Sequence, residues 1–133
     1  MAAISIGRLA DLTGIKVTTI RYYETVGLLP TPTRTAGNRR VYGPCDVERL
    51  TFIRRSREFG LSQEAIRGLL DLELDRRQPC QAATRIVATH LTEIDRKIAE
   101  LEALRAWVHK AIGSCRGEKV ESCAIMMTLR GRA

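Results

Sequence analysis

Residues 5–28 read SIGRLADLTGIKVTTIRYYETVGL. In the first half Ile6, Leu9, Ala10 and Leu12 recur at helical spacing behind Ser5, whose hydroxyl suits an N-cap. Thr13-Gly14-Ile15 breaks the period. A second helix follows over Val17 to Val26, with Val17, Ile20 and Tyr23 toward its apolar side, and Gly27 stops it. Lys16 cannot cap as Ser or Asp would, so the start of this helix is not marked. Two short helices joined by a glycine-containing turn make a helix-turn-helix.

Leu28-Leu29-Pro30-Thr31-Pro32 ends the helical pair, and Arg34 to Tyr42 reads as a hairpin about Gly37-Asn38, a basic wing. Pro44 opens a helix through Glu58 with Val47, Leu50, Phe52 and Ile53 inward, and Gly60 stops it. Ser62 caps another helix that carries Ala65, Ile66, Leu69, Leu70 and Leu72. After Pro79 the pattern predicts a helix from Cys80 to Ile112. Val87, Leu91, Ile94, Ile98, Leu101, Val108 and Ile112 alternate steps of four and three, with Arg105 as the polar intruder. That spacing is a coiled-coil seam. A head of this size offers too little surface to cover roughly 48 Å of helix, so the expected solution is self-pairing. Gly113 to Cys123 reads as a loop, followed by the apolar piece Ala124 to Leu129.

The fold class expected is therefore mainly α: a winged helix-turn-helix head over residues 1–75, a long antiparallel coiled-coil dimerisation helix over 76–112, and a C-terminal metal-binding loop and tail over 113–133. Of 22 Lys and Arg against 15 Asp and Glu, residues 1–60 hold ten bases and five acids. The excess charge sits mostly in the head, as on a polyanion-binding surface. The longest uncharged apolar stretch, Ser122 to Leu129, is far short of the roughly 20 residues of a membrane helix. The N-terminal residues lack the pattern of a secretory signal. A cytoplasmic location without membrane association is the expectation. No paired carboxylates, phosphate loop or nucleophile with a local base points to an enzyme.

Four cysteines occur: Cys45, Cys80, Cys115 and Cys123. In a reducing compartment they are poor candidates for structural disulfides, and no CxxC pair suggests a zinc ribbon or a thioredoxin-like centre. Cys115 and Cys123 bracket a loop containing Gly117 that lets two thiolates fold around one soft ion. Cys80 lies at the other end of the long helix, too far to share that ion within one chain. In an antiparallel pair the start of one helix lies beside the end of its mate. Cys80 of one chain then joins Cys115 and Cys123 of the other. Three thiolates favour mercury(II) or lead(II) over zinc, while cadmium could complete its shell with Glu118, Glu121 or water. His109 is near enough in sequence to assist the site. Cys45 is expected as a packed thiol and Trp107 as packing in the dimer or against the head.

For DNA, the second helix offers Lys16, Thr18, Thr19, Arg21 and Tyr22, and the wing offers Arg39, Arg40 and Tyr42. Arginine grips phosphates or reads guanine, and a tyrosine hydroxyl bonds phosphate oxygens. Tyr23 is equally placed for the core.

Ile6-Gly7-Arg8-Leu9-Ala10, Thr19-Ile20-Arg21-Tyr22-Tyr23-Glu24, Gly27-Leu28-Leu29-Pro30, Arg40-Val41-Tyr42 and Phe59-Gly60-Leu61-Ser62 together closely resemble the MerR family of bacterial transcription regulators, over residues 4 to about 125. The cysteine arrangement resembles its divalent-metal sensors for mercury, zinc, cadmium or lead. The copper(I) branch usually lacks a cysteine at the position of Cys80, and the iron–sulfur redox sensors have four clustered cysteines. Two departures leave the metal open: the step from Cys115 to Cys123 is shorter than in typical mercury sensors, and the loop lacks the histidine of a zinc sensor. The resemblance implies a homodimer on a palindromic promoter whose metal-bound form distorts an over-long spacer and realigns the promoter elements for RNA polymerase. A thiol-based redox-sensing regulator is the alternative that the same cysteines allow.

Overall fold

Ser5 begins the first helix: its hydroxyl accepts the Arg8 amide at 3.2 Å, and α1 runs Ile6–Thr13. Gly14, at φ 71°, then turns the backbone into the left-handed region that favours glycine. The structure, a computed structural model, describes residues 3–117 and 119–131. Thr13 lies inside the turn, where its hydroxyl donates to Leu9 O at 2.8 Å and accepts the Ile15 amide at 3.3 Å. Helix α2, Val17–Thr25, starts after Lys16, which occupies the cap position without a side-chain hydrogen bond.

The wing is a two-stranded antiparallel hairpin, β1 (Thr33–Arg34) against β2 (Arg40–Val41), with Thr33 opposite Val41 and Arg34 opposite Arg40. Its tip turns through Asn38 at φ 63°. Ile4 and Tyr42 exchange two backbone bonds of 2.9 Å, which ties the segment before α1 to the base of the wing. Helix α3, Pro44–Glu58, has proline in its first turn, and Asp46 accepts the Gly43 amide at 2.8 Å. Helix α4, Gln63–Leu72, starts at Ser62, whose hydroxyl accepts the Ala65 amide at 3.1 Å.

Leu9 of α1, Ile20 of α2, Leu28 and Leu29 of the segment that follows α2, Leu50 and Ile53 of α3 and Ile66 of α4 are fully buried. At about 1.5–3 kcal/mol for each such side chain, this cluster is the main force closing the head. Two arginines finish the joint below α2. Arg67 Nη2 donates to Val26 O at 2.7 Å, the carbonyl at the C-terminal cap of α2, and Arg49 Nε donates at 2.5 Å to Leu28 O in the segment that follows.

The chain divides into two units, Met1–Ile86 and Val87–Ala133. The first continues past α4 into the opening turns of the long helix because Gly68 lets Ile86 approach: a Cβ on Gly68 would lie 3.1 Å from the Ile86 side chain. That long helix, α5, spans Gln81–Gly113 and contains no buried residue. The second unit adds a 3-10 turn at Val120–Ser122 and α6 at Ala124–Leu129. The sequence pattern marks the apolar piece Ala124 to Leu129 but not its helical form.

Candidate nucleic-acid interface and metal centre

Helix α2 exposes Lys16, Thr18, Arg21 and Tyr22, while Thr19 is half-buried. The Tyr22 hydroxyl donates to the Gln63 side chain at 3.1 Å, which steadies the ring across the gap to α4. Tyr23 is half-buried against the core, its ring tilted on Tyr22 with centroids 6.0 Å apart. In the wing Arg39 is exposed. Thr35 Oγ1 accepts the Arg39 amide at 3.2 Å, and Arg34 donates to Asn38 O at 3.0 Å, so the tip is internally braced.

Tyr42 departs from the expectation of a DNA contact. It is 2% exposed, and its hydroxyl donates to the Glu24 carboxylate rather than facing outward. The cause is its place at the wing base, where the bridge to Ile4 turns the ring into the core. Burial first, and then the bond to Glu24 and its charge, push the Tyr42 phenol above its ordinary range, so it stays a donor. Glu24 also faces Arg40, with Nε 3.8 Å from its carboxylate, and its side chain is 9% exposed. Residue patterning missed this acid, which joins α2 to the wing. The available signal was a lone carboxylate on a helix that otherwise presents bases. Arg40 therefore stands half-buried at the edge of the candidate surface rather than free on it.

All four cysteines are free thiols. Cys80 is exposed immediately before α5, its carbonyl accepting the Thr84 amide at 3.0 Å. It borders a recess of about 530 Å³ together with Asp75, Gln78, Pro79 and Ala83. Cys115 is exposed two residues after α5, and half-buried Cys123 occupies the cap position of α6. Between them Gly117 takes φ 80°, the left-handed turn that closes the loop. Glu121 is exposed and its carbonyl accepts from Arg130 at 3.3 Å; His109 is exposed on α5. Glu118 lies outside the described residues. Among the described residues no group of three or more His, Cys, Asp or Glu is gathered for a metal ion. The donor chemistry nevertheless fits a soft cation, with accessible thiols on both sides of a turn-closed loop.

One side chain differs from expectation in its surroundings. Cys45 is exposed rather than packed, in the first turn of α3, where it lines a groove of about 550 Å³ with Pro30, Phe52, Leu70, Glu73 and Arg76. Trp107 borders a recess of about 240 Å³ shared with Lys110, Ser114, Ala124, Ile125 and Thr128, so it faces α6 within its own unit.

Two family descriptions match this chain: "MerR HTH family regulatory protein" over residues 4–73, and "MerR, DNA binding" over residues 47–108. The heavy metal-dependent transcription regulator 2 of Rhizobium meliloti is 34% identical over 123 residues, 92% of this chain and 84% of the relative. The transcriptional regulator ZntR of Escherichia coli is 36% identical over 127 residues, 93% and 90% of the two chains. Among solved structures, the transcription regulator PbrR691 from Ralstonia metallidurans CH34 in complex with lead(II) superposes with a TM-score of 0.85 at 34% identity, covering 95% of this chain and 98% of that one. No helix among the described residues is long and apolar enough to cross a membrane.

Proposed function

Because the chain belongs to the MerR family of helix-turn-helix transcription regulators, a family of DNA-binding regulators rather than enzymes, we propose that it is a metal-responsive activator that works as a homodimer on a palindromic promoter. Its effector in this reading is a thiophilic divalent ion, mercury, lead, cadmium or zinc, and its setting is the cytoplasm. Residues 1–75 form the DNA-binding head, 76–112 the dimerisation helix and 113–133 the metal-binding loop and tail. Lys16, Thr18, Thr19, Arg21, Tyr22, Arg39 and Arg40 hold the duplex; Lys16, Thr18, Arg21, Tyr22 and Arg39 are exposed, with Thr19 and Arg40 half-buried beside them.

The observation that carries the metal reading is the placement of the thiols. Cys80 immediately precedes α5, and Cys115 and Cys123 follow it. A straight helix of that length spans about 50 Å, so three thiolates meet on one ion through two antiparallel chains. The relatives support the same reading, since one is named as heavy metal-dependent and another was solved with lead(II). An ion held there supplies a free-energy difference between two arrangements of the dimer, to the extent that one of them binds it more tightly. The heads, placed by α5, then present the promoter in a bent and untwisted form that aligns its elements for RNA polymerase.

The test is a mixed dimer. Chains carrying Cys80→Ser paired with chains carrying Cys115→Ser and Cys123→Ser retain one three-thiolate site, while each variant homodimer retains none. Metal titration with X-ray absorption should therefore find one three-sulfur site per mixed dimer. Three-sulfur binding in either variant homodimer would sink the intersubunit reading.

A further inference from the structure

The coiled-coil seam contains one polar residue, Arg105, in the position where Leu or Ile would otherwise continue the series from Ile98 to Ile112. It is exposed and makes no ion pair among the described residues. Arg105 thus forms no ion pair within its own helix, unlike Arg96, which bonds Glu93 at 2.9 Å and Glu100 on the opposite side of α5 from the seam. Asp95 also makes no ion pair among the described residues, and it flanks the seam on the side where Arg105 lies. In an antiparallel coiled coil a seam residue and the flanking residues on its side face the same side of the partner helix.

We infer that Arg105 pairs with Asp95 of the partner subunit and, by doing so twice per dimer, fixes the register in which two copies of this chain meet. This rests on the reading above that α5 pairs with a second α5. The apolar positions select the register first. With the two-fold axis level with the Ala99–Glu100 peptide, Val87 faces Ile112 of the partner subunit, Leu91 faces Val108 of the partner subunit, and Ile98 faces Leu101 of the partner subunit. Ile94 is then level with Arg105 of the partner subunit, and every seam position has a mate. A slide of one heptad in one direction leaves Val108 and Ile112 opposite Thr84 and Cys80. The opposite slide carries Val87 and Leu91 past the end of α5 of the partner subunit, where no helical mate faces them.

The charges act on the same choice. In the full-overlap register Arg105 lies within one residue of the level of Asp95 of the partner subunit, close enough for a long guanidinium side chain leaving the seam to reach it. In the first slide it would meet Val87 flanked by Ala88, with no acid beside it; the second brings it to Glu102 but strands two apolar residues. A single charged seam residue of this kind costs some affinity and rejects wrong registers and wrong partners. The same two-fold axis places Cys80, immediately before one α5, near the end of α5 of the partner subunit, after which Cys115 and Cys123 follow in sequence.

The experiment mixes two full-length single variants, Arg105→Asp and Asp95→Arg. Each variant homodimer juxtaposes like charges and should dimerise about tenfold more weakly than the parent. Their heterodimer restores both opposite-charge pairs. Native mass spectrometry of the mixture should therefore show heterodimer well above the one half expected from random assortment, with the excess shrinking at high salt. The chain carrying both substitutions reverses the pair within one sequence and should dimerise like the parent. Random assortment, or a weak dimer from the doubly substituted chain, would overturn the Arg105–Asp95 pairing while leaving α5 as the dimer helix. A parent chain that sediments as a monomer would instead remove the pairing of α5 itself.

Discussion

Tyr42 and Arg21 show how two residues of similar promise in the sequence come to do different work. Arg21 stays exposed on α2, whereas Tyr42 is enclosed and donates to Glu24. Replacing Arg21 by Ala should weaken operator binding and lower the slope of log affinity against log salt by about 1, as expected for one lost phosphate contact. Tyr42→Phe should leave that slope unchanged and cost the fold about 1–3 kcal/mol, because Glu24 loses its buried donor. The pH dependence has a definite sign. The phenol is raised in the folded chain, so its contribution is fully present below the ordinary tyrosine value of about 10 and is lost as pH rises beyond it. Urea unfolding between neutral and strongly alkaline pH should show a shallower alkaline loss in the Phe variant. Identical alkaline profiles would mean that Tyr42 does not report on this transition.

At the scale of elements, α5 has two faces with different fates. On one, Glu93, Arg96 and Glu100 neutralise each other: the Arg96 hydrogen bond and charge lower Glu93, and Glu93 and Glu100 raise Arg96. These are exposed groups on one helix, and pairs of that kind add little to stability. On the other lie Leu91, Ile94, Ile98, Leu101 and Val108, between 37% and 64% exposed in a single chain. Ile98→Lys separates the faces. If the stripe is sealed in a dimer, an unpaired ammonium enters the seam, and sedimentation should show the dimer split and operator binding lost. If Ile98 stayed in solvent, the same change would stay within about 0.5 kcal/mol and a full dimer would survive.

For the whole molecule, the four thiols decide between a metal-sensing and a redox-sensing regulator. Every cysteine is free, and three of the four are exposed. A metal-held set is shielded from thiol reagents by the ion, and removing the ion by chelation exposes it without any reductant. Thiol titration of metal-loaded protein should therefore find fewer reactive groups than the same protein after chelator. Release of thiols by a reductant alone, with chelator inert, would favour the redox reading instead.

Local chemistry made much of this protein legible without tertiary information. Ser5 and Ser62 as caps, Pro44 as a first-turn residue, Gly14 and Gly60 as stops and the turn at Gly37-Asn38 all act through a few neighbouring residues, and each lies where the sequence places it. The period of α5 and the resemblance carried by the head were legible for the same reason, since both are written in spacing. Tertiary structure decided the assignments that depend on what lies across a gap. Tyr42 turned inward because Ile4 and Glu24 meet it there, Arg49, one of the ten bases of residues 1–60, was drawn to the distant Leu28 carbonyl, and Cys45 faced a groove instead of the core. Residue type sets which bonds a side chain is able to make. Only the packed fold sets which partner is within reach, and a buried donor or acceptor takes the partner that is there.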